Sequence, residues 1–118
     1  MTLDQHLALA ERYAAEGRYA ASLRLVIPLT EKAPRTKEDL AAQRILARAA
    51  YGVGKLAPAE TAARRVLTRR PKDAAMMRLL VRILQREGRH TDAARWMTRL
   101  DELGTDTWDD STPDGRAA

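Results

Sequence analysis

Apolar residues return along this chain at intervals of three and four, in stripes separated by glycine and proline. Leu3, Leu7, Leu9, Ala10, Tyr13 and Ala14 make the first stripe, which runs up to Gly17. Leu23, Val26, Ile27 and Leu29 make the second, closed by Pro34. Ile45, Leu46, Ala49, Ala50 and Tyr51 form a third, followed by Ala59, Ala62, Ala63, Val66 and Leu67 as far as Pro71. Met76, Met77, Leu80, Val81, Ile83 and Leu84 then precede Ala93, Ala94, Trp96, Met97 and Leu100. That period belongs to α-helices burying one face, and the breakers between stripes mark the turns. No segment alternates as a half-buried strand would.

Local signals refine the boundaries. Pro28 lacks an amide donor and crowds the preceding turn, so it should bend or locally widen the second helix. Thr36 or Asp39 is placed to cap the third helix, Asp73 the fifth and Thr91 the sixth. Pro58 suits the first turn of the fourth helix and reads as a start signal. Gly104 is expected to end the sixth helix. From Thr105 onward the composition turns to Asp, Ser, Thr, Pro and Gly, which predicts an acidic, disordered tail over 105–118 with Trp108 as its one large apolar residue.

The stripes recur in pairs. Glu16-Gly17-Arg18-Tyr19 aligns with Glu87-Gly88-Arg89-His90, and Val53-Gly54-Lys55-Leu56 falls between them. The first two glycines are 37 residues apart and the next two 34, while Pro34 and Pro71 each follow their glycine by 17. The connection Arg35-Thr36-Lys37-Glu38-Asp39 absorbs the three extra residues. One helical pair cannot bury both of its apolar faces alone, so stacked neighbours must supply the core.

This spacing resembles the tetratricopeptide repeat, a helix–turn–helix unit of 34 residues. Repeats begin near Leu3, Leu40 and Ala74. The resemblance matches Leu9, Leu46 and Leu80 late in the first helices, then Ala10, Ala47 and Val81. Tyr13, Ala50 and Leu84 follow. The helix-crossing position falls on Ser22, Ala59 and Ala93, and the later apolar position on Leu29, Val66 and Leu100. Departures are His6, Gln43 and Met77 where the family has an early tryptophan, and Thr105 where the third repeat would end in proline. The resemblance implies an all-α, right-handed helical-hairpin solenoid over residues 3–104, with repeats at about 3–36, 40–73 and 74–104.

In this family the first helices of successive repeats line a concave surface that receives a peptide or helix. The matching positions are Leu7, Glu11, Arg44, Arg48, Arg78, Arg82 and Arg86. The resemblance therefore implies an arginine-lined groove that binds an acidic peptide or protein segment. Guanidinium groups suit carboxylates and phosphates because they offer two parallel donors. Some family members clamp a terminal carboxylate with Lys, Asn and Arg; this chain supplies the arginines without the paired asparagines.

Charge adds alternatives. The formal net charge is +5, with eight Lys or Arg against Glu60 alone in residues 40–72. The final fourteen residues carry Asp106, Asp109, Asp110 and Asp114 against Arg116. Such a tail is able to dock on a basic groove of its own chain or of a neighbour. Arg64, Arg65, Arg69, Arg70 and Lys72 make a second basic patch, expected on the convex side, which would attract nucleic-acid phosphates. No reading helix, stacking motif or zinc-ligand set accompanies it, so a weakly specific nucleic-acid accessory role is the least favoured reading. Apolar ends, with Leu3 and Leu7 at one and Trp96, Met97 and Leu100 at the other, point to the alternative of a structural homo-oligomer.

Catalysis has little support. His6 and His90 are the only histidines, and His90 is expected to pack as Tyr19 and Leu56 do. Neither a metal-ligand spacing nor a glycine-rich phosphate loop occurs, so no cofactor is expected and a non-catalytic adaptor is. The chain has no cysteine, which excludes disulfides and thiolate chemistry. The opening residues do not read as a secretion signal, and no apolar run is long enough to cross a bilayer. The expected location is cytoplasmic, without a membrane partner.

Overall fold

The computed structural model describes residues 1–111, with side chains as far as residue 104. Among the described residues there are six α-helices and no strand: α1 Leu3–Ala15, α2 Tyr19–Val26, α3 Lys37–Gly52, α4 Leu56–Arg69, α5 Ala74–Arg86 and α6 His90–Ser111. They pack as pairs, α1 on α2, α3 on α4 and α5 on α6. Each pair leans on the next through α2–α3 and α4–α5, and the first helices also meet, α1 with α3 and α3 with α5.

The turn inside each pair is the same device used three times. Gly17, Gly54 and Gly88 have φ of 79°, 81° and 77°, a left-handed conformation that a Cβ would strain. At each, the glycine amide bonds back three residues and the next amide bonds back five. Arg18 N reaches Tyr13 O, Lys55 N reaches Ala50 O and Arg89 N reaches Leu84 O, each at 2.8 Å. These are Schellman turns, which satisfy the last carbonyls of one helix while reversing the chain into the next.

Small residues let the paired helices cross closely. Ser22, Ala59 and Ala93 are all buried, and Ser22 Oγ donates to Ala10 O at 2.8 Å, so its hydroxyl is satisfied inside the crossing. The largest cluster joins the second and third pairs through Leu40, Val66, Met77, Leu80 and Leu84, with Trp96, Leu100 and Leu103 against its edge. Two smaller clusters join the first pair to α3 and extend through Leu23, Ala49, Ala50, Ala59 and Ile83.

The helix starts follow the capping chemistry in part. Thr36 caps α3, and Asp39 is its reciprocal partner: Thr36 Oγ1 accepts from Asp39 N at 3.0 Å while Asp39 Oδ2 accepts from Thr36 N at 3.2 Å. Backbone donors from Arg35 and Thr36 hold the Asp39 carboxyl below its ordinary range. Asp73 caps α5 by accepting from Met76 N. Thr91 is no cap, because α6 already begins at His90. Pro28 tightens the chain instead of widening it: α2 stops at Val26 and Ile27–Leu29 forms a 3-10 turn.

Gly104 does not end α6, which continues to Ser111. A glycine in an exposed helix costs only about 1 kcal/mol relative to alanine, too little to enforce a stop. The tail expected to be disordered over 105–118 has a helical backbone as far as Ser111, and its residues 112–118 lie outside the described ones. The segment from Thr30 to Pro34 closes the first pair, and its carbonyls are gathered by later helices. Arg65 donates to Thr30 O at 2.8 Å, Arg69 to Pro34 O at 2.6 Å, and Gln43 Nε2 lies 3.4 Å from both Thr30 O and Lys32 O. No described helix is long and apolar enough to cross a membrane.

Candidate functional site: an arginine-lined groove

The first helices α1, α3 and α5 enclose one side of a cavity of about 990 Å³. All seven residues selected from the sequence line it: Leu7 and Glu11 from α1, Arg44 and Arg48 from α3, and Arg78, Arg82 and Arg86 from α5. They converge because positions four apart lie on one helical face and the three first helices stand side by side. Apolar walls come from Tyr19, Ile45, Tyr51, Met76 and Leu79. Tyr19 and Tyr51 were not selected from the sequence. Tyr19 starts the second helix of the first pair, and the signal that brings it here is Gly52, whose missing Cβ leaves room for the ring on α3.

The arginines are not equivalent. Arg44 forms an ion pair with Asp73, whose other carboxylate oxygen caps α5. Arg48 bonds to Glu11 at 2.5 Å, joining α3 to α1. Both side chains of that second pair are about half exposed, so it positions more than it stabilises. Arg86 stacks on Tyr51, its guanidinium carbon 5.3 Å from the ring centroid. Arg78 and Arg82 are exposed and have no carboxylate partner among the described residues. Uncompensated positive charge therefore gathers on α5, although the sequence places arginines on both α3 and α5.

Counted over the cavity wall, five arginines face Asp4 and Glu11. Neighbouring like charges one helical turn apart cost only about 0.2–0.5 kcal/mol per pair, which the fold tolerates. A carboxylate entering between Arg78 and Arg82 would meet two sets of guanidinium donors beside an apolar wall. That combination gives charge-assisted hydrogen bonds in a setting less screened than open water.

Three arginines of the second basic patch are committed elsewhere, while Arg70 and Lys72 stay exposed. Arg64 pairs with Glu60 at 2.8 Å, while Arg65 and Arg69 hold the Thr30–Pro34 segment as described above. Arg89 also reaches Glu60, at 2.9 Å, tying α4 to the turn before α6. Burial pushes the Glu60 carboxyl up, but hydrogen bonds from Arg64 and Arg89 outweigh it and hold the group below its ordinary range. Hydrogen bonds that Arg89 donates to Asp92 and Glu60 raise its pKa in turn.

The histidines divide. His6 Nε2 lies 2.8 Å from Leu25 O and must donate, since a carbonyl only accepts. His90 is exposed, in contrast to the packing expected from its alignment with Tyr19 and Leu56, which are half-buried. At the apolar ends, Leu7 is buried, Trp96 and Leu100 pack partly against the core, and Leu3 and Met97 remain exposed. Among the described residues no group of His, Cys, Asp or Glu is arranged to hold a metal ion. Compared with protein-family models, curated proteins and solved structures, the chain finds no match.

Proposed function

We propose that this chain is a non-catalytic adaptor whose three helical pairs form a right-handed, tetratricopeptide-like solenoid binding an acidic protein segment in its concave groove. The observation that carries this reading is the contrast along the groove. Arg44 and Arg48 are matched by Asp73 and Glu11, whereas Arg78 and Arg82 face the same cavity unmatched among the described residues. Tyr19, Ile45, Tyr51 and Leu79 offer apolar contact beside them, which a segment carrying carboxylates next to apolar side chains would fill. A partner without carboxylates would leave the α5 arginines desolvated and unpaired, and this gives selectivity.

The test is charge reversal on α5. Arg78→Glu with Arg82→Glu should weaken binding of a labelled acidic peptide at least about tenfold, corresponding to roughly 1.4 kcal/mol, with the helical circular dichroism unchanged. Arg44→Gln with Arg48→Gln should cost less, because those arginines already hold internal carboxylates. Unchanged affinity after the α5 reversal, measured by fluorescence anisotropy, would refute the groove as the binding surface.

A further inference from the structure

None of the described residues of α6 lines the groove. This helix turns Ala93 into the core, with Trp96, Leu100 and Leu103 partly buried against the same cluster. Its continuation past Gly104 changes the meaning of the acidic residues that follow. Glu102, Asp106 and Asp110 are four residues apart on a helical backbone and so share one face, with Asp109 beside them. Glu102 is exposed. At a rise of about 1.5 Å per residue, successive acidic positions stand about 6 Å apart along the axis. Arg78, Arg82 and Arg86 have the same spacing on α5. Two helices laid side by side in this register match opposite charges at three successive turns.

We propose that the groove takes the acidic C-terminal end of α6 from a second copy of this chain. This inference rests on the reading of the groove as a receptor for acidic segments and names one such segment. A second copy is the occupant because α6 is the hairpin partner of α5 in its own chain and packs on α5 through its core-facing side. The groove face of α5 carries Arg78, Arg82 and Arg86, and it is met by a helix end coming from elsewhere. The contact is head-to-tail: each copy offers one groove and one acidic helix end. Such heterologous contacts grow into rings or open chains instead of closing as a two-fold dimer. Self-association then competes with any other acidic partner, so groove availability falls as concentration rises.

Sedimentation of the full chain over a dilution series tests this. The average mass of the wild type should rise above that of a monomer and fall back at high salt. Arg78→Glu with Arg82→Glu, and separately Asp106→Lys with Asp110→Lys, should each raise the self-association Kd at least about tenfold. Mixing the two variants should restore assembly, because an acidic groove then meets a basic helix end and a basic groove an acidic one. The milder pairs Arg78→Gln with Arg82→Gln and Asp106→Asn with Asp110→Asn should weaken assembly in the same order, and they serve if a reversal perturbs folding. Failure of the mixture to assemble overturns the proposal, as does assembly that persists in both variants. A labelled acidic peptide of unrelated sequence separates the two readings. If it binds through Arg78 and Arg82 while the wild type stays monomeric, the second copy is refuted and the receptor groove stands; if it does not bind either, both fall.

Discussion

Replacing Gly52 with alanine sets two local effects against each other, and Tyr19 decides the outcome. Gly52 is the last residue of α3, where alanine gains up to about 1 kcal/mol in helix propensity. The added Cβ, however, would lie 2.5 Å from Tyr19 Cδ2 and Cε2 and 2.7 Å from Cγ. Those atoms belong to a ring packed against Leu23, Ala49, Ala50, Ala59 and Ile83, so it has little freedom to retreat. Overpacking of this kind costs about 1–3 kcal/mol. Gly52→Ala should therefore destabilise the wild type by about 1 kcal/mol, lowering the midpoint of thermal unfolding by roughly 4 °C. In a Tyr19→Ala background the obstruction is gone, and the same substitution should stabilise by a few tenths of a kcal/mol. A double-mutant cycle followed by circular dichroism reads the coupling directly. An identical effect of Gly52→Ala in both backgrounds would refute the account of why a glycine stands there.

Other perturbations address the joints between pairs. Thr36→Ala removes the reciprocal cap with Asp39 and should cost about 1 kcal/mol in urea unfolding; no change would assign the start of α3 to packing alone. Glu60 has a depressed folded-state pKa, so the stability it contributes is complete above its unfolded value and is lost as pH falls through the lower folded one. Glu60→Gln should accordingly narrow the stability difference from wild type on acidification, and a difference that is constant with pH would contradict the ion-pair assignment. Arg69→Met removes the donor to Pro34 O and should expose the Thr30–Pro34 segment to faster limited proteolysis, with a loss of roughly 1 kcal/mol; unaltered cleavage would leave that bond without a structural role.

Features fixed by backbone geometry were legible from the residues alone. Gly17, Gly54 and Gly88 announce turns that need a positive φ, and Ser22, Ala59 and Ala93 announce close helix crossings. The seven groove positions were also legible, because regular spacing repeats the same face of each first helix. Their electrostatic state was not. Asp73 reaches Arg44, and Glu11 reaches Arg48, across long stretches of sequence, and no local pattern declares such pairs. The same reason hides Arg65 and Arg69, which read as part of a phosphate-attracting patch but reach back to carbonyls of the preceding pair. Gly104 misleads for an energetic reason, since its small helix penalty is outweighed by the helix on either side.

The reach of Arg65 and Arg69 to Thr30 and Pro34 also orders events during synthesis. While the opening helical pair leaves the ribosome, the carbonyls at its far edge have only water as donor, because α4 has not yet been translated. That edge becomes sealed only after Arg69 has emerged and α4 has wound up against it. Nascent chains arrested before this point should be readily cut by protease at the junction, and those arrested after it should resist.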